Sequence, residues 1–239
     1  PRIPKLRRFG LSDEHELYLI TDLVRGRSIR SYRHKPKSVV IAIRDVAQAL
    51  QHANSAGAFH GSLLPECVMI DKDGAGHLLD FGLHHALENA IAGGSIRLPR
   101  ISSRYKPPER LRSPGTGDAR SEVYGLGAVF FHVLTGEPPF KDCLSLPALF
   151  AQILHGEHKA PSTRRVGLGR EADRVVLKAL SRAPEDRYPT VAAFAHDLDR
   201  LAAGEPVDVH LRGRVSGKRF VGIGLATLAV LIALGVAIR

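Results

Sequence analysis

From Glu122 to Leu134 the sequence EVYGLGAVFFHVL is apolar almost all the way round a helix. Only a central, fully buried helix can carry that pattern, so the rest of the domain must wrap around it. The run stops at Thr135-Gly136, with Pro138-Pro139 beyond, a glycine stop followed by residues that cannot continue a helix. The neighbouring segments suit that role. Residues 38–56 place Val39, Ile43, Val46 and Leu50 on one face and end at Gly57. Amphipathic helices also fit 145–155, 171–181 and 190–203. HELYLITDLV (15–24) alternates as a strand does and runs into an expected exposed turn at Arg25-Gly26-Arg27. Cys67–Ile70 and His77–Leu79 flank DKDGAG, the signature of a β-hairpin. The reading is an α+β domain, mainly α.

Charge raises a second question. The 239 residues carry 34 Lys+Arg against 24 Asp+Glu, a formal +10, which by itself suggests nucleic acid. The excess is confined to the ends. Residues 1–37 hold a local +6 and residues 211–239 a local +5, while 38–210 are nearly neutral at −1. No basic body remains to bind nucleic acid, and that class is set aside. The two cysteines, Cys67 and Cys143, are too few for a disulfide framework and point to a reducing compartment.

Val221 to Ile238, VGIGLATLAVLIALGVAI, has no charge, and Phe220 extends it. As a helix it spans about 27 Å, close to the hydrocarbon core of a bilayer. The sequence therefore predicts a transmembrane helix over 220–238. Arg212, Arg214, Lys218 and Arg219 precede it and only Arg239 follows, which places residues 1–219 on the cytoplasmic side of the inner membrane. Ala229, Ala233 and Ala237 recur every fourth residue, a candidate homodimer stripe. Residues 204–219 read as a basic juxtamembrane linker, and 1–14 as a basic remnant. Because the first residue is Pro1, the chain is expected to be a fragment or a processed form.

The segment FHGSLLPECVMIDKDGAGHLLDFG, from Phe59 to Gly82, carries the chemistry. It resembles the catalytic and metal-binding segment of the protein kinase superfamily, His-Arg-Asp-Leu-Lys-Pro-x-Asn, a hairpin, then Asp-Phe-Gly. His60, Leu63, Pro65 and Asp80-Phe81-Gly82 match in order and spacing. YKPPERL resembles the Ala-Pro-Glu motif through Glu109. SEVYGLGAVFFHVLTGEPPF resembles the buried helix of that fold, and ALSRAPEDRYPT the late segment whose Arg187 pairs with Glu109. HELYLITDLVRGRSI is similar to the hinge that grips adenine, with Asp22 and Val24 at the backbone-contact positions and Thr21 beside them. The style is that of bacterial receptor-like Ser/Thr kinases. The resemblance implies the large lobe of a kinase fold over 15–203 with its hinge strand, the small lobe being largely absent. It also implies ATP with Mg²⁺ as cofactors and proteins as substrates or partners.

Phosphoryl transfer needs a group to take the substrate's proton, a hard cradle for Mg²⁺ and a grip on the phosphates. Here the catalytic Asp position is Ser62, and the Mg²⁺-binding Asn position is Cys67. Gly61 replaces the Arg and Leu64 the Lys of the same loop. An ordinary hydroxyl is no base at neutral pH without a partner, and sulfur suits Mg²⁺ poorly. Only Asp80 survives as a metal ligand, and no Gly-x-Gly-x-x-Gly occurs. The expectation is a pseudokinase that binds partners, with ATP and Mg²⁺ bound weakly or not at all. The alternative is an active Ser/Thr kinase using Glu66, the nearest acid in the loop. His60, Phe81, Gly82, Glu109, Glu122 and Arg187 are expected to be structural. Glu122 replaces an Asp that ties the catalytic loop, and its extra methylene is expected to loosen that tie. Ser102 and Ser103 are candidate phosphorylation sites. His84-His85 and His155-x-x-His158 are expected to be solvated rather than metal ligands.

Overall fold

The computed structural model describes residues 2–11, 17–81, 103–113, 118–141, 143 and 145–209. Its centre is the helix α3 (Ala119–Thr135), in which every residue from Ser121 to Leu134 is buried. Asp118 caps it, its side chain accepting from Ser121 N at 2.9 Å, and Gly136 ends it in the left-handed region with φ 86°. Five further helices are described: α1 (Pro36–Ser55), α2 (Pro108–Arg112), α4 (Leu146–His155), α5 (Arg170–Ala179) and α6 (Val191–Ala203). α1 turns Val39, Ile43, Val46 and Leu50 inward, all without exposed surface. Each such side chain contributes about 1.5–3 kcal/mol by leaving water. α5 packs closely on α3 because position 127 is glycine: a Cβ there would lie 2.7 Å from Ala179 Cβ.

Two small sheets complete the domain. β3 (Gly26–Ser28), β4 (Val68–Asp71) and β5 (Gly76–Leu78) form one antiparallel sheet, with Arg27 opposite Ile70 and Met69 opposite His77. β1 (Leu6–Leu11) and β2 (Leu17–Thr21) form the other, with Phe9 opposite Leu19. Asp45, buried in α1, accepts from Gly76 N at 2.9 Å and so fixes β5 to the helix.

Three expectations need correction. The stretch 1–14 is more than a basic remnant, because β1 lies within it and pairs with the hinge strand. Arg7 and Arg8 interrupt its apolar alternation and hide it in the sequence. Arg25-Gly26-Arg27 is exposed, as expected, but its second half is a paired strand rather than a turn. Gly26 permits that pairing, since a Cβ there would lie 2.3 Å from the Ile70 carbonyl oxygen. The start of the supposed linker is fixed to the domain. Val207 N donates to Glu171 Oε2 at 2.9 Å, and Val207 and Val209 are buried. Among the described residues no helix is long and apolar enough to cross a membrane. The segment 220–238 lies outside the described residues, as do Gly82, His84, His85 and Ser102.

Candidate functional site: the degenerate catalytic loop

The loop from His60 to Cys67 is held from two sides. His60 is buried, and its Nε2 lies 2.9 Å from the Leu79 carbonyl, a contact that requires Nε2–H to donate. Its Nδ1 is then an acceptor and faces Ser62 N at 3.4 Å. The ring meets Phe81 edge-on, with centroids 5.5 Å apart. From beneath, Glu122 accepts from His60 N at 3.1 Å and from Gly61 N at 2.8 Å, one bond to each carboxylate oxygen. The extra methylene therefore does not loosen the tie: both amides are satisfied. Arg110, buried on α2, donates through Nη1 to the Gly61 carbonyl. The sequence reading missed this contact, since nothing local in a Glu-Arg-Leu-Arg helix marks which arginine turns inward.

Cys67 lies between the Ser62 carbonyl and Asp80. Asp80 is exposed, and it is the only non-glycine with positive φ (58°) among the described residues. Cys67 is 4% exposed, and its Sγ lies 3.8 Å from Asp80 Oδ2 and 3.9 Å from the Ser62 carbonyl. Burial, reinforced by the Asp80 charge, pushes the Cys67 thiol up to about 12. At neutral pH it is a thiol, with the Asp80 carboxylate and the Ser62 carbonyl both within its reach. Among the described residues, no carboxylate or imidazole is hydrogen-bonded to the Ser62 hydroxyl. Toward Mg²⁺ this loop offers one carboxylate, Asp80, faced by a protonated sulfur where an amide oxygen would suit the ion better. Glu66, the acid proposed as a substitute, is exposed and paired with Arg30 instead of Ser62.

On the hinge side, Asp22 N donates to Lys5 O at 3.0 Å, and its carboxylate pairs with Arg7 at 2.6 Å. That hydrogen bond holds the Asp22 carboxyl below the usual range. Val24 is half-buried beside it. A cavity of about 60 Å³ lies between the two-stranded sheet and the turn at Asp80-Phe81, lined by Ile3, Leu6, Leu19, Thr21, Asp80 and Phe81. The fold thus brings Thr21, Asp80 and Phe81 to one gap.

The remaining predicted residues are apart from this gap. Glu109 and Arg187 form a two-pronged pair, at 2.7 and 2.8 Å, with Ser121 Oγ also donating to Glu109. Burial pushes the Glu109 carboxyl up, but the hydrogen bonds and charge of Arg187 outweigh it and hold it low. Ser103 is half-buried at the start of the turn leading to Tyr105.

The expectation of solvated histidines needs correction at His158. Among the described residues no cluster of three or more His, Cys, Asp or Glu could hold a metal. His158, however, is not solvated. It packs 4.6 Å from the Phe140 ring, with the Tyr124 hydroxyl 3.3 Å from Nε2. Burial, aided by Arg182 and Arg187, pushes its pKa down to about 3. The unfolded chain takes up that proton near pH 6.5, so the stability from neutral His158 is present above that pH and lost as pH falls toward 3. Urea midpoints are expected to drop between pH 6 and 4, and less steeply in His158→Phe. Equal slopes would contradict this placement.

A domain with this loop, this central helix and this Glu109–Arg187 pair is of the protein kinase class. Residues 2–198 match the protein kinase domain family, and the chain belongs to it. It is similar to the serine/threonine-protein kinase PknB of Mycobacterium tuberculosis, 36% identical over 197 residues, covering 79% of this chain and 31% of that protein. PknB of Mycolicibacterium smegmatis is 36% identical over 199 residues, 80% of this chain and 31% of the relative. PknL of Mycobacterium tuberculosis is 31% identical over 198 residues, 80% and 48% respectively. The match thus spans about a third of the length of the PknB relatives. These likenesses support a kinase-like signalling function in a family that uses ATP and Mg²⁺.

Proposed function

We propose that this chain is a membrane-anchored, kinase-fold signalling domain that acts by binding protein partners and transfers no phosphate. One observation carries the reading: the Cys67 thiol, protonated and buried, faces Asp80 where the family places a metal-binding amide. Ser62 leaves the loop without a base, so positioning and proton removal fail together. The departures fall in one loop, whereas the residues that hold the fold (His60, Phe81, Glu109, Glu122 and Arg187) keep their partners. The second reading, an active kinase, draws on the names of the relatives and needs Glu66 as base. Its pairing with Arg30 weighs against it.

Anchoring follows from the uncharged run over 220–238 and the cations before it, which place residues 1–219 at the cytoplasmic face of the inner membrane. The alanine stripe in that run offers a route to a homodimer. Nucleotide, if held weakly, places adenine at Asp22–Val24 and phosphates toward Asp80.

Thermal unfolding tests the metal side of this proposal. In the unsubstituted protein, ATP with Mg²⁺ is expected to raise Tm no more than ATP alone. Cys67→Asn is expected to make the shift Mg²⁺-dependent, because a ligand that binds only the folded state raises stability by mass action. A Mg²⁺-dependent rise in the unsubstituted protein, equal to that of Cys67→Asn, would overturn it.

A further inference from the structure

Apart from the Arg30–Glu66 pair, the basic N-terminal stretch makes no described contact with the catalytic loop's chemical groups. Most of its charge lies between residues 25 and 37, where six cations and no acid are all exposed. Two sets of contacts fix where this face lies. α1 and α6 run antiparallel: Gln51 Oε1 accepts from Ala192 N at 3.0 Å, and Arg44 Nη1 reaches Asp199 Oδ1 at 2.6 Å. That register brings the end of α6 at Ala203 beside the start of α1 at Pro36. Arg165 donates to the carbonyls of Arg33 and Leu134, so the loop before α5 and the end of α3 gather at the same pole.

The chain also leaves the domain there. It turns at Gly204 and is then tied down, Arg200 Nε donating to Pro206 O at 2.7 Å and Arg174 Nη2 to Val209 O at 2.5 Å. Ten residues separate Val209 from Phe220. Fully extended they reach at most about 40 Å. Three acids at this pole are already engaged, Glu66 with Arg30, Glu137 with Lys141 and Arg164, and Glu171 with Arg174, while Glu205 stays exposed beside the chain's exit. At its tip, between Arg165 and Gly167, Val166 is 98% exposed, more than any other exposed large hydrophobic side chain described. An apolar tip within a basic surround suits a bilayer interface better than an acidic peptide, which would offer the valine nothing.

We infer that this pole lies against an anionic membrane leaflet, with Arg27, Arg33, Lys35 and Lys37 toward the headgroups and Val166 at their boundary. The inference rests on the reading of 220–238 as a membrane span. It is tested on the full chain in nanodiscs of phosphatidylcholine alone or mixed with phosphatidylglycerol, by amide hydrogen exchange. Exchange over 25–37 and 163–169 is expected to slow about fivefold or more on the anionic lipid and to recover in high salt. Arg33→Glu/Lys35→Glu/Lys37→Glu is expected to abolish the slowing while α6 exchange stays unchanged, showing an intact fold. Protection of 220–238 in both lipids with no slowing at the basic pole overturns this inference and leaves the span standing. Loss of protection over 220–238 overturns the span and the inference together. Equal slowing by polyglutamate on neutral nanodiscs assigns the face to an acidic protein and overturns the lipid assignment.

Discussion

Arg187→Ala is expected to remove about 3 kcal/mol of stability, the low end for breaking a buried ion pair, because the Glu109 side chain left behind keeps 26% of its surface exposed. The Arg187 side chain has no exposed surface. Besides its two bonds to Glu109, it donates to the carbonyls of Ser181, Arg120 and Arg182, at 2.7, 3.2 and 3.0 Å, and its guanidinium lies 4.9 Å from the Tyr124 ring centre. One side chain thus holds α2, the start of α3 and the turn before α6 together. Domains of this size are stable by about 5–15 kcal/mol in all, so the loss is a large part of the total. Arg187→Lys keeps the charge but not the fork and is expected to recover only part of it. Denaturant midpoints measure both. A loss below about 1 kcal/mol for Arg187→Ala, the range of an exposed pair, would contradict the buried, shared role.

A comparable effect is expected at Glu122. Its two oxygens satisfy the backbone amides of His60 and Gly61, and the residue is 4% exposed. Glu122→Ala leaves both amides without their acceptor, at about 1–3 kcal/mol each. Glu122→Gln keeps one acceptor oxygen and is expected to fall between. Amide exchange of His60 and Gly61 should accelerate well beyond that of the α1 core in Glu122→Ala. Unchanged exchange at those two amides would show that the loop is held by other contacts. The loop thus keeps its scaffold while its chemical groups have changed, and this contrast supports a binding role.

Much of this was legible in the sequence, for identifiable reasons. α3 was readable because a helix that is apolar all round has nowhere to go but the centre, and Val123, Leu126 and Phe130 are fully buried there. α1 was readable because its four apolar positions repeat at helical spacing. The Glu109–Arg187 pair followed from the resemblance and was found at bonding distance. Other features depend on contacts between distant segments. β1 was hidden because Arg7 and Arg8 sit in a ribbon that stays largely exposed. The strap over 205–209 reads as linker in the sequence because only two valines are buried there, between Gly204 and polar neighbours. Arg110 and His158 take their roles from neighbours far along the chain, so local sequence marks neither. The Glu122 expectation failed for a geometric reason: the longer side chain still presents one oxygen to each amide.

Charge illustrates the same division. The +10 is a fact of composition, but its meaning comes from where the antiparallel α1–α6 pair puts residues 25–37: at the pole from which the chain departs.

The central claim is that this kinase fold transfers no phosphate, and one assay tests it directly. The purified full chain is given ATP with Mg²⁺ or Mn²⁺ and a generic protein substrate, beside an Asp80→Ala control. The predicted result is no phosphoprotein above the level of Asp80→Ala with either metal. Phosphate transfer that disappears in Asp80→Ala would contradict the account.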